Sequence, residues 1–341
     1  MLRLKDIAER AGVSIMTVSK SLRDAPDISA GTKARICKLA DELGYVPNSA
    51  AQGLRNQRTQ LFGVIIPSAT EPVYARITLA LEDQSYHRGY DILFAHSLNQ
   101  VEREERCIRR MLARRVDGLF ISPVYRMSQN SPIFAELWRR QIPTVLLGHR
   151  AAFCPHFASV ETEDILASYM ITRHLLQLGH QRIAFFAGHP TSPSSHERLE
   201  GYRRAIREVG REVDDALIFQ AGSTIEEGEK AAVQMASEKC GATALQAVND
   251  LVAIGAATFL LSQGLRVPQD ISVAGFGNIL VSEHFRVPLT TIRQPKHRLG
   301  VAAMELMLRL LEGEMPPVRR LVGELVIRES TGPAPRPRQP D

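Results

Sequence analysis

With 44% hydrophobic and 23% charged residues, a chain of 341 residues holds enough apolar material for more than one folded unit. No apolar run reaches the length of a membrane span, the amino terminus MLRLKDIAERAG lacks the profile of an export signal, and Cys37, Cys107, Cys154 and Cys240 form no CxxC pair. A membrane protein, a secreted protein, a zinc site and a disulfide framework are therefore all disfavoured, and a cytoplasmic protein is expected. The net charge is +5, of which residues 1–60 carry +4 through ten Lys and Arg against six Asp and Glu. The pattern is that of a small basic module beside a near-neutral body.

Three short helical patterns fill the first sixty residues. LKDIAERAG ends on Gly12, suited to the left-handed position that closes a helix. A second helix opens with Ser14 as N-cap, and a third opens at Ser29 and runs through Ile36, Ala40 and Leu43 to Gly44. At 100° per residue, Val18, Ser21 and Leu22 share one face of the second helix, Met16 and Lys20 point away, and Thr17 and Ser19 flank them. Packed on Ile7, Ala8 and Ala11, that face makes a helix-turn-helix whose second helix can enter a DNA major groove by its amino end. Ile15 and Met16 then reach base edges first and can meet a thymine methyl. Ser19 suits a base or phosphate, Lys20 suits guanine O6 and N7, and Thr17 suits a phosphate oxygen. The alternative is that Ile15 and Met16 cap a small core while Lys20 is a solvated charge.

In YVPNSAAQGLRNQRTQ, Pro47 stops the third helix, Asn48 can cap a new one, and SAAQGL is too short to be a stable helix by itself. It reads as a linker or as a helix that needs help. From Leu61 on, short apolar runs (LFGVIIP, DILFAH, DGLFIS, PTVLLG, RIAFFAG, ALIFQ, TALQAV, ISVAGF) alternate with amphipathic stretches such as EERCIRRMLARRV and SHERLEGYRRAIREVG. This is the βαβ rhythm of an α/β core with two doubly wound parallel-sheet subdomains and a crevice between them. A helix HRLGVAAMELMLRLLEGE and a strand LVGELVIRES follow, and TGPAPRPRQPD, with four prolines in eleven residues, reads as a disordered tail.

LKDIAERAGVSIMTVSKSL followed by GYVPNSAAQGLR resembles the DNA-binding head and hinge of the lactose/galactose repressor (LacI/GalR) family. RIAFFAG, SHERLEGYRRAI, AVND, ISVAGF, VPLTTIRQP and IRES match further landmarks in order, so the resemblance covers nearly the whole chain. It implies a helix-turn-helix domain over 1–46, a hinge over 47–60 and a periplasmic-binding-protein-like core over 61–330. The first subdomain of that core would hold about 61–159 and 291–319, the second about 160–290 and 320–330, with the tail at 331–341. It further implies a homodimer on a palindromic double-stranded operator, with a hinge that becomes helical on DNA and Leu54 wedged into the minor groove between bases. An apolar wedge of that kind opens a base step and bends the duplex. Gly53 disfavours the hinge helix, Asn48 caps it, and Arg55 and Arg58 can contribute through phosphates. No leucine heptad follows Ser330, so a dimer rather than a tetramer is expected.

Enzyme signatures are missing: there is no GxSxG, HExxH or GxxxxGK[ST], and GFGNIL at Gly275–Leu280 lacks the third glycine of a dinucleotide loop. His180, His189 and His196 show no ligand spacing, so surface or capping roles are expected, with no metal, cofactor or catalytic residue. Polar groups at the carboxyl ends of the strands then point to ligand binding: Ser68, Tyr74, Arg198, Asn249, Asp250 and Gln294. Arg198 could equally pair with Glu197 or Glu200, and Asn249 could simply cap a helix. The resemblance implies effector contacts at Arg198 and Asn249, an aromatic at Tyr74 and Asp250 beside them. Sugar-binding members place acids where this chain has Gly148 and Gly277. Their loss argues against a simple hexose, leaving a sugar-like or anionic effector held by Arg198 with His149, Arg150 or Asn278. A solute-binding protein and a sugar- or nucleotide-handling enzyme are the rival classes; the first would need an export signal and would lack the basic three-helix head, and the second would need a catalytic acid/base pair in the cleft, of which the sequence shows none.

Overall fold

The computed structural model describes residues 2–46 and 58–335, in two compact units divided between Thr59 and Gln60. Residues 47–57 of the expected hinge, with Asn48, Gly53, Leu54 and Arg55, lie outside the described residues.

The first unit is three helices around one small core. Helix α1 (Leu4–Ala11) closes on Gly12 at φ 66°, whose N–H returns to the Ala8 carbonyl. Helix α2 (Ile15–Ser21) starts where the Ser14 hydroxyl accepts from Thr17 N at 3.0 Å, and α3 (Ala30–Glu42) repeats that device with Ser29 and Thr32. Each cap satisfies a backbone donor the first turn leaves free, which matters for helices this short. Ile7, Ala8, Ala11, Val18, Ile36 and Ala40 are buried together, with Leu22 half-buried against them. Outside the core, Lys20 pairs with Asp27, and Lys33 with Asp24 at 2.7 Å.

The second unit has two lobes, each a parallel sheet between helix layers. The first sheet runs β11-β5-β4-β3-β1-β2, from β1 (Leu61–Ile66), β2 (Asp91–His96), β3 (Gly118–Ile121), β4 (Thr144–Leu147), β5 (Ala158–Thr162) and β11 (Arg319–Leu321). Alternation along β1 shows how it is filled. Phe62, Val64 and Ile66 share a core with residues of α4 (Pro72–Tyr86) and α12 (Lys296–Leu311). Ile65 joins residues of α5 (Val101–Ala113) and α6 (Pro132–Arg139) on the opposite face. The second sheet runs β7-β6-β8-β9, from β6 (Ile183–Ala187), β7 (Ile218–Gln220), β8 (Ala244–Ala247) and β9 (Ser272–Ala274). Helices α7 (Asp164–Gln177) and α8 (Pro193–Glu208) cover one side, α9 (Ile225–Glu238) and α10 (Asp250–Ser262) the other. A short helix α11 (Leu280–His284) and an antiparallel pair, β10 (Thr291–Arg293) with β12 (Glu324–Val326), complete the body. No helix among the described residues is long and apolar enough to cross a membrane.

Three expectations need correcting. FASVET did not read as a strand, yet β5 pairs with both β4 and β11. LVGELVIRES is two strands in two sheets, broken at Val322 and Gly323. Together these place Val160–Thr162 and Arg320–Leu321 in the first lobe, beyond the expected crossings at 160 and 320. The start of the expected disordered tail is bound: Thr331 meets His174 at 3.0 Å, the Gly332 carbonyl meets His180 at 2.9 Å, and Ala334 N donates to the Leu178 carbonyl at 2.9 Å.

Candidate nucleic-acid interface and effector cleft

In the first unit, the N-cap that starts α2 leaves the two residues after Ser14 outside the core. Ile15 is 48% and Met16 67% exposed, and neither belongs to the core cluster, which closes without them. Thr17 is tied to Ser14 through both its N–H and its hydroxyl, the latter at 2.9 Å. The Ser19 carbonyl accepts from Arg23 at 2.9 Å, and Lys20 is shared with Asp27. A base contact by Lys20 therefore competes with an ion pair that salt and solvent already weaken.

In the second unit a cleft of about 510 Å³ opens between the lobes, at the carboxyl ends of both sheets. Of the sequence-derived candidates, Tyr74, His149, Arg198, Asn249 and Gln294 line it. Tyr74, on α4, bonds Ser122 at the end of β3 at 2.6 Å, and burial pushes its hydroxyl up to about 12, so it stays protonated. Tyr125 donates to the His149 carbonyl at 2.9 Å. Asn249 caps α10 by accepting from Val252 N at 2.8 Å while its amide donates to the Ser223 carbonyl at 3.0 Å. Gln294 donates to Thr162 at 3.2 Å across the lobes.

Ser68, Asp250 and Asn278 do not face the cleft. Ser68 closes a turn on Thr70. Asp250 is fully buried, accepting from Ile279 N at 2.9 Å and from the Thr291 hydroxyl, so it joins α10 to β10. Asn278 accepts from Arg328 at 2.8 Å and belongs to the packing of the second lobe. His180, for which a surface or capping role is expected, is buried and bonds Thr243, Ser272 and the Gly332 carbonyl.

Arg198 differs most from expectation. Its guanidinium donates to Asp164 Oδ1 at 3.2 and 3.3 Å and to the Val248 carbonyl at 2.7 Å, and lies 3.7 Å over the Phe276 ring. It is not a bare cation awaiting an anion. Carboxylates of Glu71, Glu161, Asp164 and Glu227 line the same space. Burial raises the Glu71 carboxyl above its ordinary value, and Glu227 is spent on the N–H groups of Ser223 and Thr224. The two positions lacking an acid, Gly148 and Gly277, sit at φ 134° and 135°, where any side chain is strained, and a Cβ on Gly148 would lie 2.9 Å from the Tyr125 hydroxyl.

Sequence reasoning missed Glu71, Tyr125, Asp164 and Phe276. The signal was positional, since Tyr125, Asp164 and Phe276 follow the carboxyl ends of β3, β5 and β9. Overlooking β5 meant overlooking the carboxylate just beyond it.

A helix-turn-helix unit with an exposed apolar tip, joined in one chain to a two-lobed body with a polar cleft, defines a ligand-responsive DNA-binding regulator. Residues 3–48 match the bacterial regulatory proteins of the lacI family, and residues 172–331 match the periplasmic binding protein-like domain. The chain is 31% identical to the transcriptional repressor CytR of Escherichia coli K12 over 335 residues, 97% of each chain. It is 30% identical to the repressor PurR of Pasteurella multocida, over 97% of this chain and 98% of the relative. A crystal structure of the lac repressor dimer bound to operator and the anti-inducer ONPF superposes with a TM-score of 0.88 at 29% identity, covering 97% of this chain and 99% of that one. The protein belongs to the LacI family and is a DNA-binding transcriptional regulator with an effector-binding domain.

Proposed function

We propose that the protein represses transcription in the cytoplasm by binding a palindromic operator as a homodimer, under the control of a small molecule in the cleft, without catalysis of its own. The observation that carries the DNA-binding half is the exposed pair Ile15 and Met16 at the start of α2, apolar side chains that the head core does not use. Apolar groups so placed suit thymine methyls in a major groove, and two-fold symmetry of the protein calls for a two-fold site. Asn48, Leu54 and Arg55 would serve the hinge, and Thr17, Ser19 and Lys20 the phosphates and base edges.

The same reading narrows the effector. Among the described residues lining the cleft, Asp164 and Glu161 are paired with arginines and Glu227 with backbone N–H groups, while the one guanidinium is engaged by Asp164, Val248 and Phe276; with Glu71 on the same wall, this supports a neutral or cationic metabolite over an anion. Selecting duplexes from a random pool tests the first half. A recovered palindrome bound by full-length protein is the expected result, and equal retention of all sequences would sink the reading. A thermal-shift screen of neutral, cationic and anionic metabolites tests the second, because a ligand selective for the native state raises its apparent stability.

A further inference from the structure

We propose that His149, Asp164 and Glu197 form a site for a divalent transition-metal ion that ties the two lobes together beside the cleft. His149 follows β4 in the first lobe, Asp164 opens α7 in the second, and Glu197 lies on α8 of the second. Their ligand atoms all lie within 4.8 Å of one another. The His149 Nε2 stands 3.1 Å from Glu197 Oε2 and 3.7 Å from Asp164 Oδ2. An ion held tetrahedrally at about 2.1 Å separates neighbouring ligand atoms by roughly 3.4 Å, and the two nitrogen–oxygen separations fall on either side of that value.

The remaining oxygens are already committed, which makes the arrangement a site rather than a crowd of acids. Asp164 Oδ1 takes the Arg198 guanidinium at 3.2 Å, and Glu197 Oε1 takes Arg320 at 2.8 Å. Each carboxylate thus turns one oxygen to an arginine and the other to the imidazole. The His149 main chain is fixed through its carbonyl by Tyr125. Outer partners of this kind orient metal ligands.

Charge balance admits the ion. Arg320 also pairs with Glu161 at 3.1 Å and Glu163 at 3.6 Å, so Glu161, Glu163, Asp164 and Glu197 share Arg198 and Arg320. Glu163 is about a third exposed and solvated, so Glu161, Asp164 and Glu197 against two guanidiniums leave one negative charge, with Glu161 and Asp164 essentially buried. Buried charge without compensation is costly, and either an imidazolium or a divalent ion on a neutral imidazole offsets it. One imidazole and two carboxylates suit Mn(II), Fe(II) or Zn(II) rather than a thiophilic ion. His149 and Asp164 line the cleft, so a vacant coordination position would face the effector. That last consequence rests on reading the cleft as an effector site; ion binding itself does not.

The test uses untagged full-length protein stripped with a chelator and titrated calorimetrically with Mn(II) and with Zn(II). One equivalent per chain is expected, at least tenfold weaker in His149→Ala and in Glu197→Gln. Mn(II) guards against thiol binding by the four cysteines. Zinc-edge absorption of the loaded protein should show one imidazole in a nitrogen and oxygen shell. Thermal unfolding in chelator establishes that both variants fold, with His149→Gln as substitute if His149→Ala does not. Absence of a saturable site for either ion, or unchanged affinity in both folded variants, overturns the proposal and leaves an imidazolium as the compensating charge. Duplex selection on the same chelated protein separates the two readings: a retained operator preference with no ion site sinks only the metal, whereas loss of all duplex preference sinks the repressor assignment.

Discussion

Met16 and Arg198 show how differently two residues of a binding protein bear on stability. Met16 is 67% exposed, so Met16→Ala should change unfolding free energy by less than about 0.5 kcal/mol, the range of ordinary surface substitutions. Its loss should appear instead as weaker binding of the selected duplex, roughly five- to tenfold in gel shift, for one lost apolar base contact. Equal affinity would assign Met16 to the surface. Arg198→Ala should act in the opposite way. It strands the buried Asp164 carboxylate and removes the stack on Phe276, so urea unfolding should show a loss of about 3–5 kcal/mol, the cost of breaking a buried pair. Arg198→Lys restores charge but not the planar fork and should recover only part of it. Arg198 stood out in the sequence because it lies within the recognisable motif SHERLEGYRRAI, although the helix already starts at Pro193. Asp164 did not, because a partner 34 residues upstream leaves no local spacing. Asn249 admitted two readings, cap and cleft residue, and the structure gives it both places.

At the scale of elements, the parallel strands with apolar runs were legible and those with buried polar groups were not. Strand β5 buries Ser159, Glu161 and Thr162, so it has neither the continuous apolar run nor the alternation by which strands are read. Its polarity belongs to the cleft. Residues 331–335 differ from the expected disordered tail for the converse reason: the prolines of the segment signal disorder by composition, whereas the bonds of Thr331 and Gly332 come from two histidines far away in sequence. His180 meets Thr243 at 3.0 Å, Ser272 at 3.1 Å and the Gly332 carbonyl at 2.9 Å, and His174 meets Thr331. Burial holds both imidazoles below their ordinary value of 6.5. The native state therefore binds fewer protons than the unfolded chain. Stability from these histidines is full above pH 6.5 and is lost as pH falls through their lower native values. Their contribution to the unfolding free energy should thus decline between pH 7 and 5, whereas His149, which burial lowers but the Glu197 and Asp164 carboxylates raise above its ordinary value overall, contributes the opposite slope. The test is therefore the difference between parent and His180→Asn, whose loss of stability toward pH 5 should be smaller. Hydrogen exchange at Ala334 N, bonded to the Leu178 carbonyl, should report the segment loosening in the same range. An identical pH dependence in parent and variant would remove His180 from the account.

At the scale of the whole molecule, regulation requires the two lobes to have more than one arrangement, with a ligand that prefers one of them. The cross-lobe contacts identify what the closed arrangement relies on. Arg320 on β11 and His149 after β4, both of the first lobe, converge on Glu197 of the second, and Gln294 reaches Thr162 nearby. Arg320 is partly solvated, so its bond to Glu197 is weaker than a buried pair and contributes at most about 1 kcal/mol to closure. Arg320→Ala also unpairs the buried Glu161 and so should lower overall stability, but where thermal unfolding shows the variant folded, its open population should rise by up to roughly fivefold, since 1.4 kcal/mol corresponds to tenfold. Small-angle scattering of the ligand-free protein should register a larger radius of gyration for the variant. Added salt should move the parent toward the variant, because screening weakens the same contact. Any cleft ligand found in the metabolite screen should bind the variant more weakly in proportion to the closed fraction lost, because affinity for a closed state scales with the fraction already closed. Identical radii together with identical ligand affinity would mean that Arg320 only balances Glu161 and Glu163 within its own neighbourhood, and that closure rests on other contacts.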